Sequence, residues 1–284
     1  MADARTVDIR THTGELDGEP VYWREGPTPG GCSPVLYVHG VPTSSDDWVD
    51  FLERTGGVAP DLPGFGRTSK RGDLDYSIAG IDDFVERFLA EREIDRVRLV
   101  VHDWGSAALA FAQRFPQRID RLVIINAVPL LPGYRWHRIA RVWRTRGLGE
   151  LSMGMTSRWT FKQASREANV TPGPMPDAFV RSVHDHFDQG TQRAILRLYR
   201  SADPEVLAAA GARLGDITAP ALVVWGREDP YLPPAFADAY AAALPDARAH
   251  IVNGAGHWPW FDVPDLIEEI VTFLEAPGPA RPGA

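Results

Sequence analysis

Three residues have the types and the order to carry chemistry together, Asp103, Asp229 and His257, and the first is the most informative. Asp103 ends the run Val97-Arg98-Leu99-Val100-Val101-His102 and is followed, after Trp104, by Gly105, Ser106 and a helical stretch over 107–115. This is the pattern of a buried strand turning sharply into a helix. A carboxylate at the end of a buried strand loses hydration, a loss that hydrogen bonds or a reaction must justify. Backbone N–H groups at the start of the following helix can hold it ionised and pointing outward, a placement that suits a nucleophile.

The stretch Val101-His102-Asp103-Trp104-Gly105 resembles the nucleophile elbow of α/β-hydrolases that use aspartate, the epoxide hydrolases and haloalkane dehalogenases. His39-Gly40-Val41-Pro42, Asp61-Leu62-Pro63-Gly64-Phe65-Gly66, Trp225-Gly226-Arg227-Glu228-Asp229 and Gly256-His257 follow the order of that branch over nearly the whole chain. Two positions depart from it: Val101 and Ser106 stand where glycines are common, and each crowds the turn. The resemblance implies an α/β-hydrolase fold, a mostly parallel central sheet with helices on both faces and an inserted helical cap. It implies no cofactor.

A carboxylate can displace a halide or open an epoxide, leaving an ester that water must then hydrolyse. Asp103 is the expected nucleophile. The water needs a base titrating near neutrality, and His257, in the loop Gly254-Ala255-Gly256-His257, is the natural candidate. Asp229 can accept a hydrogen bond from that imidazole and fix its tautomer, while Glu228 beside it is out of register with the family. Asn126, where some dehalogenases carry the supporting acid, cannot be that acid. The hydroxyl of Ser106 lies three residues past the apex, outside any Gly-x-Ser-x-Gly, so an esterase is a weak alternative.

The backbone N–H groups of Val41 and Trp104 are expected to converge on developing negative charge. The Trp104 indole could also donate to a leaving group. Many dehalogenases carry an asparagine where this chain has Val41, which has no side-chain donor, so a second halide donor would have to come from Trp136, Trp143 or Trp159. Tyr199, 30 residues before Asp229, resembles the ring-opening tyrosine of epoxide hydrolases, with Tyr134 as a second donor. His39, Tyr134, Trp159 and Trp258 are candidates for the substrate-binding wall, although the chemistry of the His39 loop belongs to its backbone and favours a structural role for the His39 side chain. No arginine occupies 105–112, where fluoroacetate dehalogenases hold a carboxylate substrate. His184 and His186 invite a metal reading, but residues two apart on a helix face different ways, and no metal is expected.

Epoxide hydrolysis is therefore the first expectation and haloalkane dehalogenation the second. A non-hydrolytic binder on the same fold is a third, opposed by the intact Asp103, Asp229 and His257.

The elements that must position these residues follow from patterning. Residues 7–10 and 21–24 read as strands joined by a polar 11–20 segment, 34–39 as a short apolar strand, and 77–93 as an amphipathic helix. After a strand over 121–126, residues 129–213 show three or four helical patterns, with Trp136, Ile139 and Trp143 at helical spacing. Alternation resumes with a strand over 221–225, a helix over 235–244, a strand over 249–252 and a helix over 264–274. The expected organisation is a core from 1–128 and 214–276, a helical cap over 129–213 and a flexible tail over 277–284.

The cap stretch holds 13 Lys plus Arg against 7 Asp plus Glu in a chain whose net charge is -8. That asymmetry suits docking of a basic lid on an acidic core, or attraction of an anionic substrate. An acidic chain lacks the basic footprint of a nucleic-acid binder, and no apolar run reaches the ~18 residues of a membrane span. A lone Cys32 and the absence of a secretory leader pattern point to a reducing, cytoplasmic compartment. A small molecule is the expected partner, with a homodimer left open.

Overall fold

A computed structural model describes residues 8–170 and 175–276. Eight strands form one sheet: β1 (Arg10–Leu16), β2 (Glu19–Gly26), β3 (Val35–Val38), β4 (Gly57–Pro60), β5 (Val97–Asp103), β6 (Ile119–Ala127), β7 (Ala221–Gly226) and β8 (Ala247–Val252). Their spatial order is β1-β2-β4-β3-β5-β6-β7-β8. The first two ladders, β1 with β2 and β2 with β4, are antiparallel, and the remaining ones are parallel. The central strands are apolar throughout because both faces are covered. Leu36, Val38, Leu99 and Val101 belong to the core on one face, while Val35, Tyr37 and Val100 belong to the core on the other.

Helices α1 (Val49–Thr55), α2 (Ile78–Glu91) and α3 (Leu109–Arg114) pack around the first half of the sheet. Ser77 caps α2 by accepting from the N–H of Gly80, and Ile81, Phe84, Val85 and Phe88 form its buried face. Between β6 and β7 run six helices: α4 (Arg138–Arg144), α5 (Leu148–Gly154), α6 (Arg158–Ala164), α7 (Asp177–His186), α8 (Gln189–Ser201) and α9 (Pro204–Ala210). Lys70 ties to Asp188 at 2.8 Å and Gln113 donates to the carbonyl of Ala210 at 2.8 Å, pinning this segment to the sheet-bearing part. Helices α10 (Ala235–Ala243), α11 (Pro259–Asp262) and α12 (Leu266–Glu275) complete the chain. Among the described residues no helix is long and apolar enough to cross a membrane.

Two local expectations need correction. Residues 11–16, expected as a connection, are strand, and the reversal sits at Asp17-Gly18, both with positive φ (54° and 77°). Leu16 pairs directly with Glu19, so this is a two-residue hairpin whose twist demands left-handed residues, and an Asp-Gly pair supplies them. Among the described residues the inserted segment holds six helices rather than three or four. Helix α4 starts only at Arg138, because the side chain of His137 caps it and leaves Trp136 outside. Residue 7 of the expected first strand and the tail 277–284 lie outside the described residues.

Gly105 and Gly18 give a contrast. A Cβ at 105 would fall 2.1 Å from the carbonyl oxygen of Val38, whereas at 18 only the positive φ resists substitution. Gly105→Ala is expected to cost 3 kcal/mol or more, beyond the usual ~1–3 kcal/mol of overpacking, because the obstacle is backbone. Gly18→Ala is expected to cost about 1–2 kcal/mol. Urea unfolding midpoints of the two variants check the ranking.

Candidate active site

Asp103 ends β5 with φ 49° and ψ -120°, and the chain turns at once through a 3-10 turn over Trp104–Ala108 into α3. A non-glycine residue in this region costs about 1–3 kcal/mol and persists where its surroundings over-determine it. They do so here. The carbonyl of Asp103 accepts from the N–H of Val128 at 3.0 Å, and the ladder with β6 slips by one residue at His102/Asp103. On the other side the loop after β3 presses close: a Cβ at Gly40 would lie 2.4 Å from the Cβ of Asp103. The next N–H, of Val41, donates to Asp103 Oδ2 at 2.8 Å, and the N–H of Trp104 also favours the carboxylate. Burial pushes the Asp103 carboxyl above its ordinary range, while His257 and these two N–H groups pull it back.

His257 Nδ1 lies 2.8 Å from Asp229 Oδ2, and its Nε2 lies 3.9 Å from Asp103 Oδ1. A carboxylate accepts, so the proton sits on Nδ1 and the Nε2 lone pair faces Asp103. Asp229 Oδ1 accepts from the N–H groups of Tyr231 (2.8 Å) and Leu232 (3.1 Å). Asn126, which could not be the acid, holds the acid: its Nδ2 donates to Asp229 Oδ2 at 2.6 Å, and its Oδ1 accepts from the N–H of Gly226 at 2.9 Å. Glu228, out of register as an acid, accepts from the N–H groups of Gly254 and Ala255 and so shapes the histidine loop. The N–H of His257 donates to Ala168 in the inserted segment at 2.8 Å. Burial alone would lower the His257 pKa, but the Asp229 carboxylate outweighs it, with help from Asp103 and Asp47, and the net shift is upward from 6.5.

Asp103, His257, Val41, Tyr199, Tyr231 and Trp258 open on a cavity of about 940 Å³ whose far wall comes from residues 137–167. Tyr199, on α8, is 3% exposed, and burial together with the Asp103 charge raises its phenol well above 10.0. Beside it, across 6.4 Å between ring centres, stands His137, a cavity residue not singled out in the sequence. Its Nδ1 caps α4 by accepting from the N–H of Ala140, so the neutral ring carries its proton on Nε2. Burial, reinforced by the charge of His257, pushes it down to about 4. The available signal was weak, a histidine directly before a helical run.

Other expected wall residues lie elsewhere. His39 accepts from the N–H of Leu62 at 2.9 Å and contacts the Gly40 carbonyl at 2.8 Å, which makes it a brace between two loops. Tyr134 is buried against Trp136 and Phe236, away from the cavity lining. Trp159 points outward, 70% exposed. The indole of Trp104 is buried outside the lining, edge-on to the Tyr199 ring at 5.1 Å, and its N–H has no acceptor among the described residues. The N–H of Trp136 is spent on the carbonyl of Ala202 at 3.0 Å. Ser106 is buried and also absent from the lining.

Residues 35–270 match the sequence profile of the Alpha/beta hydrolase family, which covers more than half of the chain. The chain belongs to that family. This alpha/beta hydrolase is 24% identical over 270 residues to the 2-hydroxy-6-oxononadienedioate/2-hydroxy-6-oxononatrienedioate hydrolase of Cupriavidus pinatubonensis, covering 87% of this chain and 88% of the relative. Among solved structures it is similar to Cfl2 from Burkholderia cenocepacia (TM-score 0.83, 24% identity, 96% of this chain and 98% of that one). It is also similar to the haloalkane dehalogenase DbeA from Bradyrhizobium elkani (TM-score 0.78, 24% identity, 94% and 98%). At such identities the two structures speak to the fold.

The electrostatics of this alpha/beta hydrolase are testable on the resting protein. His257 is expected to titrate above 6.5 by NMR of labelled imidazole. Asp229→Asn removes the dominant stabiliser of the imidazolium and is expected to lower that midpoint.

Proposed function

We propose that this alpha/beta hydrolase opens an epoxide through an ester on Asp103 and releases the diol, with residues 129–213 acting as its cap. The observation that carries the reading is the pair of neutral donors, the Tyr199 hydroxyl and the His137 Nε2–H, lining the same cavity as the Asp103 carboxylate. An opening epoxide develops an alkoxide, which needs such donors as the carbon–oxygen bond breaks.

In the first step Asp103 Oδ1 attacks a ring carbon, the ring carbon–oxygen bond breaks, and the alkoxide takes a proton from Tyr199 while His137 holds it by hydrogen bond. Oδ2 becomes the ester carbonyl oxygen, already bonded to Val41 N–H. A water then gives a proton to His257 Nε2 and attacks the carboxyl carbon. The oxyanion forms on Oδ2 against the N–H groups of Val41 and Trp104, and Asp229 stabilises the imidazolium. Collapse breaks the bond between the carboxyl carbon and Oδ1, the departing Oδ1 takes the remaining proton of the attacking water so that Asp103 is a carboxylate again, the diol leaves, and the proton held by His257 returns through solvent to Tyr199. One water is consumed.

Haloalkane dehalogenation is the second reading, favoured by the shared fold with DbeA and by Trp143 in the cavity wall. It is weakened by Trp104, which lies outside the cavity lining, and by Val41, which has no side-chain donor.

His257→Gln is expected to trap the ester. Intact-protein mass spectrometry after exposure to epoxide and haloalkane panels should show an adduct on Asp103 of the full epoxide mass. An alkyl-only adduct from haloalkanes would move the assignment to dehalogenation, and no adduct from either panel would overturn the covalent mechanism. Tyr199→Phe is expected to slow adduct formation from epoxides by about 10²–10⁴-fold. His137→Phe is expected to slow it by roughly 10–100-fold, as one hydrogen-bond donor of a pair. Because His257 must be neutral to act, ester hydrolysis is expected to rise with pH through a midpoint above 6.5 and to fall below it.

A further inference from the structure

A second cavity, of about 330 Å³, opens at the end of the sheet away from Asp103, where β5 and β6 begin. Its charged lining among the described residues is Arg96, Arg98, Arg121 and Asp120. Arg98 precedes Asp103 by five residues, about 16 Å along an extended strand. The two strands are parallel, and their register makes Arg98 and Arg121 direct neighbours. Both are buried, at 3% and 7% exposure. Burial first, then the charge of Arg98, holds Arg121 below the usual guanidinium range, against the pull of Asp246 and Asp120. Two like charges thus stand side by side out of water, a costly arrangement that needs negative charge close by.

Closing a helix end accounts for part of it. Arg98 donates from Nε to the carbonyl of Ser33 at 2.8 Å and from Nη1 to that of Leu274 at 3.1 Å, and Arg121 donates from Nη2 to that of Ala276 at 2.9 Å. Leu274 and Ala276 stand at the C-terminal end of α12, whose dipole supplies only about half a negative charge. Asp120 is taken up by Arg96, whose Nε lies 2.9 Å from Oδ1. The side-chain bonds of Arg98 go to neutral carbonyls, and its buried Nη2 has no hydrogen-bond partner among the described residues. An anion with several acceptor oxygens matches this arrangement, because a guanidinium offers its N–H groups in a planar fork and two adjacent guanidiniums suit more than one negative charge.

We propose that this cavity is a binding site for a doubly charged phosphate group, seated against Arg98 and Arg121 and separate from the chemistry at Asp103. Inorganic phosphate and the phosphoryl end of a monoester share the recognition, and the test distinguishes them. The chain has a single cysteine, Cys32, which is exposed and lines the same cavity, so a reporter can be placed at the site without any substitution. Full-length protein with a trifluoromethyl label on Cys32 is titrated with inorganic phosphate, phenyl phosphate, acetate and chloride at constant ionic strength and about pH 8, where the phosphates are dianions. The fluorine resonance is followed by NMR.

A saturable shift is expected with phosphate or phenyl phosphate, at least about tenfold weaker binding with acetate, which has one charge fewer, and no saturable shift with chloride. Tighter binding of phenyl phosphate than of phosphate assigns the site to an ester, and the reverse assigns it to the free ion. Arg98→Lys keeps the charge without the fork and is expected to weaken phosphate binding about tenfold. Thr218→Glu, at an exposed position of the cavity lining, puts a competing carboxylate there without touching the core and should weaken phosphate binding even where Arg98→Lys fails to fold. In unlabelled protein, phosphate should raise the melting midpoint more than it does in Thr218→Glu, which shows that the label has not created the site.

Shifts that grow linearly with concentration, that chloride reproduces at equal ionic strength, or that survive unchanged in the folded variants would overturn the proposal and leave Arg98 and Arg121 with the closing of α12 as their task.

Discussion

The carboxylate of Asp103 is buried, at a backbone angle that costs energy, and most of the architecture around it exists to hold both conditions at once. The two neighbouring strands each supply part of the restraint. Parallel pairing of β3 with β5 runs Val35, Leu36, Tyr37 and Val38 against Arg98, Leu99, Val100 and Val101, so both strands end at the same level. The loop after β3 then meets the turn after β5. Gly40 is needed because the Asp103 side chain occupies the space of any Cβ there, and Gly105 because the Val38 carbonyl does the same from the other direction. That closeness puts the Val41 N–H 2.8 Å from Oδ2. The strained turn and the oxyanion donors are consequences of one packing decision.

A second chain of constraint fixes the histidine. Gly226 donates to Asn126, Asn126 donates to Asp229, and Asp229 accepts from His257 Nδ1. Each bond in this relay has a determined direction, because a backbone N–H can only give and a carboxylate can only receive. The amide of Asn126 is thereby oriented, and so is the imidazole tautomer. An aspartate at 126 would place a second negative charge against Asp229; an asparagine supplies a donor instead. The residue that the sequence rules out as an acid is for that same reason the one that can steer the acid.

What could be read from the sequence was whatever depends on local order. The turn at Asp103 follows from an apolar run meeting a charge and a glycine, the strand and helix alternation from periodicity, and the Asp229 and His257 loops from their positions after strands. The misses share a different cause. The direction of Trp159 and the removal of Tyr134 from the cavity are set by how α4 to α8 pack on one another, which spacing along one helix does not encode. The hairpin at Asp17-Gly18 was locally legible, and was obscured by polar residues on an exposed edge strand. His137 was invisible for a subtler reason. Its usefulness depends on which nitrogen is occupied, and that is decided by a cap on Ala140 that exists only once α4 has formed.

The cavity sets several titratable side chains in one desolvated space and sends them in opposite directions. Burial disfavours charge on His137 and on His257 alike. His257 escapes because a carboxylate stands 2.8 Å from its Nδ1, whereas the partner of His137 is a neutral backbone N–H that donates to it and opposes a second proton. Tyr199 is buried and faces the negative Asp103, so it keeps its proton. Separation of titration ranges by surroundings is how one site runs acid and base steps together. Here it divides the labour by position: groups on the α4 and α8 side remain neutral donors, and the group on the sheet side remains able to take a proton. On the function proposed above, an electrophile in this cavity meets a carboxylate from one wall and neutral donors from the other, an arrangement that neither wall provides alone.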